Sequence, residues 1–160
     1  VYDQLGYQAE SAPWRDFYLK GAYELRHGKP DEGIKPAVMK HILLKTAVEN
    51  FFDSMSVRLL PEKTEGLNLS VQISFTDLDK HFLLTIHNSV LHYNEMNENQ
   101  GADATLRITQ PLFVDLIVGD AGLKETLFSD DLSVEGSKLD LIRFFNVFDK
   151  PEGTFNIVLP

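Results

Sequence analysis

The chain contains no cysteine among its 160 residues. Disulfides, thiolate nucleophiles and thiolate metal sites are therefore excluded, while reducing and oxidising compartments both stay open. It also lacks any apolar run approaching the roughly 20 residues that a membrane-spanning helix needs. Basic residues are in deficit: 15 Lys and Arg stand against 24 Asp and Glu, a formal charge of -9. No basic cluster interrupts that excess, so a phosphate backbone or an anionic membrane would be repelled over most of the surface. The first residues show no basic stretch leading into an apolar one, as a secretory leader would. Val1 stands where an initiator Met would, and we expect a piece of something longer. Asn68-Leu69-Ser70 fits the glycosylation sequon but lies inside an expected strand.

Recognisable catalytic patterns are missing too. The five histidines, His27, His41, His81, His87 and His92, form no H-x-H, no H-E-x-x-H and no i, i+4 pair. His81 and His87 share a strand face but are set far apart along it. There is no G-x-S-x-G elbow, no phosphate-binding loop and no dinucleotide fingerprint. Asp77 and Asp79, like Asp130 and Asp131, fall in expected turns, where solvent keeps carboxylates ionised; acid catalysis needs burial or a like charge to raise the pKa. No metal ligands and no cofactor are read from this chain.

What is present is apolar bulk. Hydrophobic residues make up 43% of the chain and Phe occurs 11 times, enough for one substantial core at this length, which buries roughly 70% of the unfolded surface. Ser11 or Ala12 opens a helix with Pro13 in its first turn; Trp14, Phe17, Tyr18, Gly21, Ala22 and Leu25 recur at helical spacing until Gly28. Small Gly21 and Ala22 suit close packing on another helix. Residues 28–36 are rich in turn formers and charge and mark a boundary: 1–28 the end of a helical unit, 29–36 a linker, 37–160 a second domain.

A short helical piece with Val38, His41 and Ile42 follows. Thr46 and Glu49 have the spacing of a capping box for a helix carrying Val48, Phe51, Phe52, Met55 and Leu59, which Pro61 ends. The period then becomes two: Leu67, Leu69, Val71, Ile73 and Phe75 alternate with polar residues. Phe82, Leu84 and Ile86 form the apolar face of a second strand, Asn88-Ser89 turns the chain into a third, and Ala104, Leu106 and Ile108 belong to a fourth, a pattern expected to form an antiparallel meander. Thr109 caps a helix with Leu112, Phe113, Leu116 and Ile117 on one face. Asp120 caps a short helix with Leu123 and Leu127. Leu132 and Val134 form a fifth strand. Ser137 caps a last helix with Leu139, Ile142, Phe145 and Phe148 expected inward, and residues 155–159 are apolar and extended, to dock on the core or add an edge strand. The element order predicts an α+β layer, a mostly antiparallel five-stranded sheet covered on one face by helices.

Adjacent aromatics in a helix diverge by about 100°, so Phe51-Phe52 and Phe144-Phe145 either widen a core face or wall an apolar cleft. The candidates for such a wall are Phe51, Phe52, Met55, Phe113, Leu116, Ile117, Phe144, Phe145 and Phe148. Candidates for a packing or dimer face are Trp14, Phe17, Tyr18, Gly21 and Leu25.

The segment Trp14-Arg15-Asp16-Phe17-Tyr18-Leu19-Lys20-Gly21-Ala22-Tyr23-Glu24-Leu25-Arg26 resembles the W-R-N-x-Y-L-x-G-A-x-E-L-R stretch between the dimerisation region and the C-terminal domain of bacterial alkylsulfatases, of the metallo-β-lactamase superfamily. Phe52-Asp53, Val57-Arg58-Leu59, Ala102-Asp103-Ala104-Thr105-Leu106, Val134-Glu135-Gly136 and Phe155-Asn156-Ile157-Val158 resemble their sterol-carrier-like C-terminal domain. The resemblance implies a divided enzyme: a domain holding two zinc ions hydrolyses alkyl sulfates, a helical region makes a homodimer, and the C-terminal domain shelters the alkyl chain. The family's H-x-H-x-D-H motif has no counterpart here, so no catalytic residue carries over. The implied partners are a long-chain alkyl or acyl molecule and an upstream zinc hydrolase domain. The rival readings are a stand-alone lipid carrier, a structural dimerisation module with a filled core, and a small hydrolase, for which no acid/base constellation is displayed.

Overall fold

The structure, a computed structural model, describes residues 1–29, 36–97, 101–119, 121–122, 132–149 and 155–159. The expected linker, apart from its ends, and the expected helix capped by Asp120 lie outside the described residues, as do Asp130 and Asp131. The chain divides into two compact units, Val1–Lys35 with Pro151–Pro160, and Pro36–Lys150.

The first unit is a helix pair. Helix α1, Tyr2–Gln8, was not expected from the sequence; α2, Ala12–His27, was, with Ser11 at its cap position and Gly28 closing it. Only part of the expected α2 stripe is buried. Gly21 and Ala22 are inside, and a Cβ on Gly21 would stand 3.2 Å from Val158 and 3.3 Å from Tyr2, which is why a small residue sits there. Tyr2 packs on Tyr18 with ring centroids 6.1 Å apart, and Arg26 pairs with Asp3. Residues 155–159 form no edge strand. They lie in this unit, their N–H groups donating to Glu24 of α2.

The second unit is the expected α+β layer, a mostly antiparallel five-stranded sheet with helices packed on it. After a 3₁₀ turn, Pro36–Met39, come α3 (Lys40–Leu43), α4 (Val48–Val57) and α5 (Pro61–Thr64); then strands β1 (Leu69–Phe75), β2 (Lys80–His87), β3 (Val90–Met96) and β4 (Ala104–Ile108), helix α6 (Gln110–Val118), strand β5 (Ser133–Gly136) and helix α7 (Lys138–Asn146). The sheet order is β3-β2-β1-β4-β5. The first three strands form the meander, and β2 turns into β3 at Asn88-Ser89, whose positive φ values of 51° and 58° fit a tight hairpin turn. The fourth strand departs from expectation. It does not continue beside β3 but returns to pair with β1 in parallel, Val71 opposite Ala104 through Phe75 opposite Ile108. Alternation specifies faces, not neighbours, so the partner of β4 was not encoded in its own pattern.

Three local expectations also change. Thr46 and Glu49 form no capping box: Ala47 holds the cap position, the Thr46 hydroxyl donates to the Ile42 carbonyl at 3.2 Å, and Glu49 accepts from Lys80 at 2.7 Å. A cationic partner on β2 outcompetes the Thr46 amide for that carboxylate. Thr109 sits at the α6 cap without a side-chain bond; Asp77, from the β1–β2 turn, accepts the Gln110 N–H with both oxygens at 3.0 and 3.1 Å, placing negative charge at the helix N-terminus. In α7, Ser137 caps as expected, but Leu141 and Phe144 are fully buried, Ile142 and Phe145 are half-buried, and Leu139 is 76% exposed. At 100° per residue Leu139 lies about 170° from the centre of the stripe made by Leu141, Phe144 and Phe145.

Candidate apolar binding surfaces

The nine expected wall residues divide by burial. Phe51, Phe52, Met55, Phe113, Phe144 and Phe148 lie in the core; Leu116, Ile117 and Phe145 are half-buried against it. The rings of α4 and α6 meet edge to face, Phe51–Phe113 at 5.9 Å and Phe52–Phe113 at 6.1 Å between centroids, and Phe52 reaches Phe82 at 5.0 Å and Tyr93 at 5.2 Å. Phe144 makes a second cluster with Phe145 and Phe148 at 5.5 and 5.3 Å. Tilted pairs at these separations are favourable beyond the area they bury. These six are buried in the core, and Leu116, Ile117 and Phe145 are the wall candidates with surface left to offer.

Polar joints hold this arrangement at its edges. Arg58 donates to the Asp149 carbonyl at 3.0 Å, and the Leu60 N–H to the Val147 carbonyl at 2.9 Å, tying the end of α4 to the end of α7. Tyr93 donates its hydroxyl to Asp53 at 2.7 Å, and this carboxylate holds the phenol above its ordinary pKa. Glu49 is held below its usual value by the hydrogen bond from Lys80, whose own pKa rises for the same reason.

The quoted sequence motifs prove to be structural joints. Asp103 accepts from the Ser70 hydroxyl at 2.7 Å and the Ser70 N–H at 2.8 Å, which lowers its pKa and locks the start of β4 to β1. Gly136 has φ +85°, and a Cβ there would stand 2.6 Å from the Asp103 carbonyl oxygen, so the close approach of β5 requires glycine. Among the described residues no group of three or more His, Cys, Asp or Glu side chains could hold a metal ion, and no helix is long and apolar enough to cross a membrane. His87 instead pairs its Nδ1 with Asn68 at 2.6 Å.

In the first unit the five packing candidates divide differently. Gly21 is buried and Tyr18 half-buried within the unit, while Trp14, Phe17 and Leu25 are exposed, at 68%, 56% and 53%. Trp14 and Phe17 stand with Pro13 in the first turns of α2. A cleft of about 380 Å³ opens there, lined by Pro13, Asp16, Phe17 and Lys20 of α2 and by Phe155 and Ile157.

Sequence reading missed the residue that builds this cleft. Glu24 is 3% exposed, and its carboxylate accepts from the N–H groups of Ile157 at 2.7 Å, Leu159 at 2.8 Å and Val158 at 3.3 Å. Burial pushes its pKa up, but the three donors outweigh burial and hold it below the usual carboxylate value. The only hint in the sequence was a carboxylate among the apolar residues of α2.

The described geometry has counterparts in known proteins. The alkyl sulfatase C-terminal family profile matches residues 36–160, and the alkyl sulfatase dimerisation profile matches residues 1–28. A linear primary-alkylsulfatase of Pseudomonas sp is 34% identical over 158 residues, covering 99% of this chain and 23% of that protein. The alkyl/aryl-sulfatase BDS1 of Saccharomyces cerevisiae is 32% identical over 158 residues, covering 99% of this chain and 24% of its own length. The solved structure of Pisa1, a stereoselective inverting sec-alkylsulfatase from Pseudomonas sp., superposes with a TM-score of 0.75 at 29% identity, covering 99% of this chain and 25% of that one. The chain thus spans about a quarter of the length of the relatives it matches.

Proposed function

Because the chain belongs to the alkyl sulfatase C-terminal family, as residues 36–160 match its profile, we propose that it is the accessory part of an alkyl sulfate hydrolase, offering apolar surface to the alkyl chain of the substrate. The single observation carrying this reading is that match, laid over a unit whose chemistry is apolar packing and structural polar joints. Each methylene moved out of water gains about 0.8 kcal/mol, so a dodecyl tail brings several kcal/mol before ordering costs. The half-buried Leu116, Ile117 and Phe145 receive the chain, because they reach solvent without the core opening; the buried rings behind them hold that surface in shape. The zinc pair that would hydrolyse the ester belongs, in this reading, to a separate domain of the parent protein.

The test is a titration of the 160-residue chain with dodecyl sulfate below its micelle concentration, following backbone amide shifts. Saturable shifts centred on α6 and α7, weakened by Leu116→Ser with Phe145→Ser in a chain that stays folded, are the expected result. An unchanged spectrum at saturating ligand would overturn it.

A specific observation supports a second role beside the first. Residues 1–28 match the dimerisation profile, and Trp14 and Phe17 are more than half exposed there. Soluble surfaces seldom leave such rings uncovered in a cluster, and in this reading the first unit meets a second copy of the chain.

A further inference from the structure

The boundary between the two family profiles is not the boundary between the two structural units. Residues 155–159 fall inside the match to the C-terminal profile, yet they belong to the unit that contains the helix pair. Two motifs more than 130 positions apart in the sequence, Glu24-Leu25-Arg26 and Phe155-Asn156-Ile157-Val158, meet in one contact. A buried carboxylate is costly unless its oxygens are satisfied. Here Oε2 accepts from Ile157 and Oε1 from Leu159 and Val158, charge-assisted bonds that fix the backbone of three consecutive residues. The side chain carried just ahead of that anchor, Phe155, is left 74% exposed.

We propose that residues 155–159, anchored by Glu24, form part of the surface through which the helix pair meets a second copy of this chain. The proposal rests on the dimerisation reading above. Phe155 and Phe17 wall the same cleft, so the exposed ring is continuous with the helix that matches the dimerisation profile. A two-fold interface must be self-complementary, with a projection and a hollow on the same face. This unit has both: the exposed Phe17 and Phe155 rings, which wall a hollow of about 380 Å³ large enough for an aromatic side chain. Asp16 and Lys20, both on the cleft, carry opposite charges one helical turn apart. Two antiparallel copies of α2 would bring each Asp16 to the Lys20 of the second copy, so charge and shape favour the same occupant.

The experiment is sedimentation velocity over a concentration series with the 160-residue chain, Phe155→Asp, Phe155→Leu and Glu24→Gln, each checked for folding by far-ultraviolet circular dichroism. Phe155 is exposed, so its replacement leaves the fold intact. The expected result is a dimer for the parent chain, about a tenfold weaker dimer for Phe155→Asp, and recovery with Phe155→Leu, a change of about 1.4 kcal/mol. Glu24→Gln, which keeps an acceptor but loses the charge, falls between them. A parent chain that dimerises while Phe155→Asp dimerises equally well overturns the role of residues 155–159 and leaves the dimerisation reading standing. A parent chain that is monomeric throughout overturns the dimerisation reading itself.

Discussion

The two units use aromatic residues in opposite ways. In Pro36–Lys150, Phe52, Phe75, Phe82, Phe113 and Phe144 are fully buried, because helices and sheet together enclose a layer in which a ring has neighbours on every side. In the other unit, Trp14, Phe17, Tyr23 and Phe155 are more than half exposed. Two helices and five further described residues have too little depth to enclose them, since a helix pair buries only the stripe where the helices meet. The same residue class is therefore internal structure in one unit and surface chemistry in the other. Apolar composition distinguishes them only when read together with the thickness of the layer around it.

That contrast can be broken most forcefully at Phe52. Phe52→Ala removes a ring touching four others and should cost about 3–5 kcal/mol, read as a lower urea midpoint; a cost under about 1 kcal/mol would mean that the core is looser than its packing.

Acid sharpens the contrast more gently. Glu24 in one unit and Asp103 and Glu49 in the other all have lowered pKa values when folded. Each contributes stability that is fully present above the ordinary carboxylate pKa, about 4, and is lost as pH falls through the lowered folded value. Below about pH 4 the urea midpoint should therefore drop. In Glu24→Gln the amides of Ile157 and Leu159 should lose their acid sensitivity in hydrogen exchange, while the Ser70 amide, held by Asp103, keeps its own. Equal loss at both places would show that Glu24 is not the local anchor.

The smallest effect is expected at the exposed positions. Trp14→Ser and Leu139→Ala should each change the stability of the monomeric chain by no more than about 0.5 kcal/mol, although both residues look like core in the sequence. A cost of 2 kcal/mol at either would place it in a packed environment and erase the distinction.

The strands and longer helices were legible because each carries a periodicity of its own: Leu69 to Phe75 alternates, and Val48, Phe51, Phe52 and Met55 recur at helical spacing. Helix α1 was not, since seven residues with few apolar positions carry too little pattern, and it is held by contacts that α2 supplies. Of the candidate surfaces, the wall residues other than Phe148 lie on helices, but periodicity could not separate the enclosed Phe113 from the half-buried Leu116. The clasp of Glu24 on residues 157–159 was invisible, because backbone N–H groups leave no trace in side-chain sequence.

By itself, the sequence determined which segments are helix or strand, which faces are apolar, the absence of thiol chemistry and of a recognisable metal motif, and the kinship with alkylsulfatases; these depend on residue type and near-neighbour spacing. Only the tertiary structure decided that β4 pairs with β1, that Asp77 caps α6, that Leu139 points away from the core and that residues 155–159 join the helix pair. Those outcomes turn on competition among partners far apart in the chain, where a charged or closely packed contact prevails over the local one, and no local pattern records which distant group will be there.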